Sequence, residues 1–175
     1  MIDKIEIRES AANDDFPIEE LYRNAFPDEN LLPLVVALLK ERSIVLSLVG
    51  IVEEALAGHV IFTTCRIAES TEKVSLLAPL AVAPLWQRQG IGSAIVKAGL
   101  KRLIDVGTDH AFVLGDPTYY SRFGFKPDYG VAPPYRLPEE WRDAWQSLCL
   151  SGRRPRLDGT LSVPRPWRQK ALWMP

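Results

Sequence analysis

Polar and apolar residues alternate through Lys4-Ile-Glu-Ile-Arg8, the period of two that lays one face of a β-strand on a core. The spacing then becomes helical. Asn13, Asp14 and Asp15 supply capping side chains, Pro17 suits a first turn, and Ile18, Leu21, Tyr22 and Ala25 recur every three to four residues up to Pro27. Asp28 to Arg42 repeats the arrangement, with Leu31, Leu34, Val35, Leu38 and Leu39 on one side of a second helix. Ile44 to Val52 and His59 to Ile67 are rich in β-branched and aliphatic residues and flank the turn-like Glu53 to Gly58, which predicts an antiparallel hairpin. His59 lies in its second arm, where the pattern suits a partly buried histidine with satisfied hydrogen bonds better than a catalytic one.

Val74 to Ala83 is nearly continuous in apolar residues, as in a strand buried on both faces. Pro79 interrupts it. Proline has no N–H for a ladder bond, so the strand must be bulged, splayed or short of a neighbour there, and a local opening is expected. Gly90 to Val106 predicts a helix, with Ile91, Ala94, Ile95 and Ala98 on one side, Lys97, Lys101 and Asp105 on the other, and Gly107 closing it. His110 to Leu114 is a short apolar strand, and Asp116-Pro117-Thr118-Tyr119-Tyr120 has the cap and first-turn chemistry of a short helix. Phe123-Gly124-Phe125 returns toward extended backbone. Nine of the fourteen prolines lie from Pro117 onward, so the last third should be rich in loops. Within it Leu137 to Leu148 reads as a helix, and Gly159 to Val163 and Ala171 to Met174 as strands.

The chain has 175 residues, the size of one domain, with 47% hydrophobic and 25% charged residues, which excludes disordered and collagenous classes. A formal net charge of -1 gives no reason to expect a polyanionic partner such as nucleic acid. The longest uncharged run, Val74 to Gln87, is fourteen residues and contains Pro79 and Pro84, short of the about 20 apolar residues of a membrane helix. The first residues lack the basic then apolar pattern of a signal peptide, so a cytoplasmic location is expected. Cys65 and Cys149 stand far apart, and neither they nor His59 and His110 have the spacing of a metal site. No metal is expected, and the cysteines read as packing residues.

Chemistry concentrates in Val82-Ala-Pro-Leu-Trp-Gln-Arg-Gln-Gly-Ile-Gly-Ser93, a buried strand turning directly into a helix. No Ser, Thr, Asp or Asn stands before Gly90 to cap that helix, so its first amides need another partner. A helix N-terminus carries partial positive charge, Gly90 and Gly92 admit close approach, and Arg88 adds a cation, which together describe an anion site suited to phosphate. The loop lacks the lysine of a Walker motif, and it follows about eighty residues of other structure, unlike the first turn of a Rossmann unit.

Gln87-x-x-Gly90-x-Gly92 resembles the Gln/Arg-x-x-Gly-x-Gly/Ala signature of the GNAT superfamily of acetyl-CoA-dependent N-acetyltransferases. Two further blocks follow the same order. Pro79-Leu-Ala-Val-Ala-Pro84 resembles that superfamily's splayed central strand, and Tyr120-Ser-Arg-Phe-Gly-Phe125 its downstream Tyr-x-Lys/Arg-x-Gly-Phe block. The resemblance covers about residues 4 to 127 and leaves the tail from 128 to 175 unexplained.

It implies a single domain over residues 1–175, of α/β (α+β) class, with a mixed, mostly antiparallel sheet flanked by helices and splayed at its central strands. It further implies that Arg88, Gln89, Gly90, Ile91, Gly92 and Ser93, in the loop opened by Gln87, bind the coenzyme A pyrophosphate, and that Leu80 and Val82 backbone groups pair with pantetheine. The Val82 amide would polarise the thioester carbonyl, and Tyr120 would protonate the departing thiolate. Tyr120 can also be read as a packed aromatic. A central-strand glutamate, the general base of many members, has no counterpart between Val74 and Ala83. Asp116 is a substitute base whose residue type and place also suit a helix cap, and Tyr119 could face the acceptor.

The implied reaction is direct transfer of acetyl from acetyl-CoA to a primary amine of a small molecule or protein. The other reading from the same features is a non-catalytic acyl-CoA sensor or interaction module. The aromatic and basic tail, with Trp141, Trp145, Trp167, Arg153, Arg154 and Arg156, could shape an acceptor pocket or the surface of a homodimer.

Overall fold

The computed structural model describes residues 4–153 and 157–174; Arg154 and Arg156 lie outside the described residues. The chain forms two compact units, one from residues up to Thr63 together with Ala78–Lys101, the other from Thr64–Leu77 together with Arg102 onward.

In the first unit the alternating N-terminal segment forms β1 (Glu6–Glu9), followed by α1 (Asp15–Ala25) and α2 (Leu32–Leu39). The second helix is shorter than its apolar spacing predicts. It starts beside Pro33, which fits only a first turn, and Asp28 to Asn30 stay outside it. Ile18, Leu21 and Tyr22 of α1 and Leu34, Val35, Leu38 and Leu39 of α2 are buried, as the 3.6-residue period requires.

The expected hairpin forms as β2 (Val45–Val52) and β3 (Ala55–Ile67), but Ala55 to Gly58, expected in the turn, belong to the second strand, and the turn is only Glu53 and Glu54, both with positive φ. That backbone matches the twist of a two-residue hairpin turn. β1 pairs antiparallel with β2.

β4 (Val74–Val82) is buried throughout its first four residues, then alternates buried and half-buried from Ala78 to Val82. Two-sided burial therefore holds only for its first half. α3 (Ile91–Asp105) packs on glycines: a Cβ on Gly50 or Gly58 would strike the Ile95 side chain at 2.8 or 2.6 Å, and one on Gly99 would overlap the Phe62 ring. These bare α-carbons let the helix approach the strands closely, and Gly58 also neighbours Ile91 at the helix start.

In the second unit Val74, Ser75 and Leu76 of β4 pair in parallel with His110, Ala111 and Phe112 of β5 (His110–Leu114). Both strands continue past this three-pair ladder, to Val82 and Leu114. α4 (Pro117–Tyr120) follows, then β6 (Lys126–Pro127) and β7 (Val131–Ala132).

The helix expected over Leu137 to Leu148 is replaced by a 3-10 turn at Glu139–Ala144 and by β8 (Trp145–Cys149), which pairs antiparallel with β5 on one side and β6 on the other. Sheet neighbours on both edges outweigh the local helical spacing. β9 (Gly159–Ser162) fits its strand expectation and pairs with Arg66 and Ile67 of β3 and with β7. Ala171 to Met174, expected as a strand, falls in a 3-10 turn over Lys170–Trp173. There the Trp173 indole N–H donates to the Trp167 carbonyl at 3.1 Å, fixing the side chain inward.

The sheet is mixed and mostly antiparallel, with parallel pairing at β4/β5 and β7/β9. No helix among the described residues is long and apolar enough to cross a membrane.

Candidate functional site

Within the first unit, β4 ends at Val82, a 3-10 turn covers Pro84–Trp86, and an exposed loop from Gln87 to Gly90 leads into α3. The Ala83 N–H bonds to the Ala57 carbonyl at 2.8 Å, which ties the strand end to β3. Gln87 folds back, its Nε2 donating to the Val82 carbonyl at 3.0 Å, and Gln89 does likewise to the Leu85 carbonyl at 3.2 Å. Two side chains of the loop thus brace its own backbone.

Arg88 and Gly90 have φ of 61° and 84°. At Gly90 even an added Cβ would meet nothing within 4 Å. Ala94 N–H to the Gly90 carbonyl, 3.0 Å, is the first intrahelical bond, so the amides of Ile91, Gly92 and Ser93 stand ahead of the ladder. An exposed cation, a left-handed turn with free space beside it and the N-terminus of a fifteen-residue helix are together the features that attract an anionic group. On β4, Leu80 and Val82 are the half-buried members of the alternating stretch, with Ala81 buried between them.

In the second unit β5 leads through Gly115 into α4. Asp116 caps that helix: its Oδ1 accepts from the Thr118 N–H at 2.9 Å and from the Thr118 hydroxyl at 2.8 Å. The capping role seen in its residue type is therefore occupied through one oxygen. Tyr120 packs among Tyr119, Phe123 and Phe125, and its ring lies on the bare face of Gly115, where a Cβ would stand 2.5 Å from Cε2. Its hydroxyl has no hydrogen-bond partner among the described residues. Burial, reinforced by Tyr119 and Asp116, raises its pKa above the ordinary 10, so the phenol stays protonated. Tyr119 is held differently, with Arg122 4.2 Å over its ring.

His59 has the bland role. It is fully buried, and its Nδ1 and Nε2 are each 2.8 Å from a partner, the Tyr22 hydroxyl and the Ser47 hydroxyl respectively. Desolvation lowers its pKa to about 3, which keeps the ring neutral. Cys65 is buried and its thiol is pushed up to about 12, the state of a packing residue. Trp145 and Trp167, offered by sequence as pocket or surface residues, are core: Trp145 stacks on Phe112 at 5.4 Å and meets Trp173, which also contacts Trp167. Trp145 also lines a cavity. Among the described residues no group of three or more His, Cys, Asp or Glu could hold a metal ion.

Sequence reasoning missed Gly115 and Gln146. Gln146 is fully buried in β8, and its Nε2 donates to the carbonyls of Gly115 and Ala144. No local pattern marks either residue, because each matters only through its cross-strand or through-space neighbour.

A family model described as an acetyltransferase (GNAT) domain matches residues 46–127. The uncharacterized N-acetyltransferase YjhQ of Escherichia coli K12 is 34% identical over 162 residues, covering 89% of this chain and 90% of its own. The chain belongs to the GNAT acetyltransferase family. Among solved structures, a GNAT family acetyltransferase from Brucella melitensis in complex with acetyl-CoA has a TM-score of 0.76 at 27% identity, covering 94% of this chain and 98% of its own. YhbS from Escherichia coli, in complex with CoA, has a TM-score of 0.80 at 26% identity, covering 95% and 93%. Membership makes the chain an acyltransferase rather than a bare sensor, and its mixed sheet with flanking helices is the fold of these neighbours.

Proposed function

We propose that the chain, acting as one catalytic domain, transfers the acetyl group of acetyl-CoA directly to a primary amine. The observation that carries this reading is the open, left-handed turn at Arg88 and Gly90 set before the free amides of α3. Arg88 to Ser93, steadied by Gln87, would hold the pyrophosphate, and the half-buried Leu80 and Val82 would offer backbone groups to the pantetheine arm. The relatives solved with CoA and acetyl-CoA support the same cosubstrate here.

Acetyl-CoA supplies an activated thioester, at which a C–N bond forms as the C–S bond breaks. The Val82 N–H is the proposed donor to the carbonyl oxygen as that oxygen gains charge. Tyr120, kept protonated by burial and with its hydroxyl unspent, is the proposed donor to the sulfur. Burial that raises the phenol's pKa would raise a thiolate's basicity as well, so the two effects offset one another. The second oxygen of Asp116, not engaged by the cap, is the proposed acceptor of the ammonium proton, directly or through water.

Isothermal titration of acetyl-CoA and thiol release with a panel of primary amines test the proposal together. Gly90→Glu should abolish coenzyme binding by closing the space beside the turn and adding a negative charge. Tyr120→Phe should slow thiol release at least tenfold with coenzyme affinity unchanged. Unaltered affinity in Gly90→Glu would refute the phosphate site, and unaltered turnover in Tyr120→Phe would refute the acid.

A further inference from the structure

All the residues lining one cavity, of about 390 Å³, come from the tail beyond Pro127, outside the stretch matched by the family model. Its volume suits a small ligand. Trp145 closes one wall and pairs with Leu114, the last residue of β5, while the Gly115 N–H bonds to the Ala144 carbonyl at 3.0 Å. The cavity therefore adjoins the end of the strand that seats Tyr120.

The two lie on opposite faces of that strand. Side chains alternate along β5, and cross-strand partners share a face. Phe112, Leu114 and Trp145 take one face, as the Phe112–Trp145 stack requires. Gly115 turns to the other, where the Tyr120 ring covers it. An amine from the Trp145 face and the acid on the Tyr120 face would meet at one thioester carbon only past the end of β5, at Gly115.

The lining also defines chemistry. The Trp145 indole N–H is spent on the Val131 carbonyl at 2.7 Å and its ring is buried, while the Tyr129 hydroxyl is spent on Asp143 and its exposed ring is left to contact a ligand. Asp128 Oδ1 accepts from the Gly130 and Val131 amides, and Arg142 stands 3.7 Å from Glu139 and over the Tyr129 ring. Arg136 differs: it is exposed and makes no ion pair or hydrogen bond among the described residues. Aromatic and proline surfaces with one uncommitted guanidinium suit a flat apolar body that carries an anion.

We infer that this tail-built cavity is the acceptor subsite, and that it selects a primary amine on a flat apolar body bearing a carboxylate, which Arg136 pairs. The inference rests on the acetyl-transfer reading above and names its substrate class.

Matched amines test it: phenylalanine against phenethylamine, and 4-(aminomethyl)benzoate against benzylamine, with acetyl-CoA and the full chain, native and Arg136→Gln. Calorimetric titration of the two carboxylated amines and of acetyl-CoA gives a readout independent of turnover. At least one carboxylated amine should bind and exceed its partner in kcat/KM by about tenfold or more, as expected of a charge-assisted contact. Arg136→Gln should erase that preference through KM and leave coenzyme affinity intact. Equal kcat/KM within both pairs, a preference surviving Arg136→Gln, or no binding of either carboxylated amine at millimolar concentration overturns the subsite. Failure of acetyl-CoA to bind the native protein overturns the acetyl-transfer reading instead.

Discussion

The side-chain amide of Gln146 donates to the Gly115 carbonyl at 3.0 Å and to the Ala144 carbonyl at 3.3 Å, while its Oε1, fully buried, has no partner among the described residues. Both bonds draw on the N–H2 end, which fixes the amide's orientation. Gln146→Leu should lower stability by about 1 to 3 kcal/mol, the cost of withdrawing a buried donor from its carbonyls. Gln146→Glu should be worse at pH 8 than at pH 5, because a buried carboxylate has a raised pKa and only its protonated form can donate. Urea unfolding at the two pH values measures both, and equal stability of Gln146→Glu at each would contradict the assignment.

Gly115→Ala should disturb Tyr120 without touching the coenzyme loop. The added methyl would stand 2.5 Å from the ring Cε2 and 3.0 Å from Cδ2, so the phenol must move. If Tyr120 is the acid proposed above, kcat should fall about tenfold or more with acetyl-CoA affinity retained, since small displacements of a reacting group are costly. Steady-state kinetics and calorimetry on one preparation check it.

The protonation of Tyr120 should not limit turnover in mild alkali. Burial raises its pKa above 10, so the acid form persists through pH 9.5. The kcat of the native enzyme should rise or stay level between pH 7 and 9.5 as the acceptor amine loses its proton. A decline with a midpoint near 8 or 9 would remove Tyr120 from the role of acid.

His59 should make the protein acid-sensitive. Its folded pKa of about 3 lies below the unfolded value near 6.5, so the unfolded chain takes up the proton first as pH falls. The neutral-ring stabilisation is complete above pH 6.5 and is lost progressively toward pH 3, by up to about 5 kcal/mol. His59→Gln can keep polar contacts to Tyr22 and Ser47 and should flatten this slope, measured by denaturant unfolding between pH 4 and 7.

Gly99→Ala should destabilise the chain even though alanine favours a helix by about 1 kcal/mol. Its Cβ would overlap Phe62, and overpacking costs about 1 to 3 kcal/mol. Phe62→Leu in the same chain should recover part of the loss, which a double-mutant cycle of unfolding free energies would reveal.

The legible features were those written locally. Period-two and 3.6-residue spacings gave β1, the β2–β3 hairpin, α1 and α3, and the missing cap before Gly90 singled out the loop on which the proposed phosphate site rests. Pro79 leads to the expectation of a local opening in β4, and what is seen there is a change from continuous to alternating burial at Ala78. The tail resisted because its structure is decided by remote partners. Trp145 to Cys149 has the apolar spacing of a helix, yet β5 and β6 supply ladder bonds on both edges. Gly50, Gly58, Gly99 and Gly115 are ordinary glycines in sequence and become close-contact positions only when Ile95, Phe62 and Tyr120 are brought to them.

β8 stands between β5 and β6, and it comes from sequence beyond the family block. A fragment ending at Pro127 would strip β5 of its antiparallel partner, leave Lys126 and Pro127 with nothing to pair against, and uncover Phe112 where Trp145 now lies. The portion that carries the family signature is thus not a detachable module in this protein. The free edge of β5 is covered only once Trp145–Cys149 has been made and has paired with it.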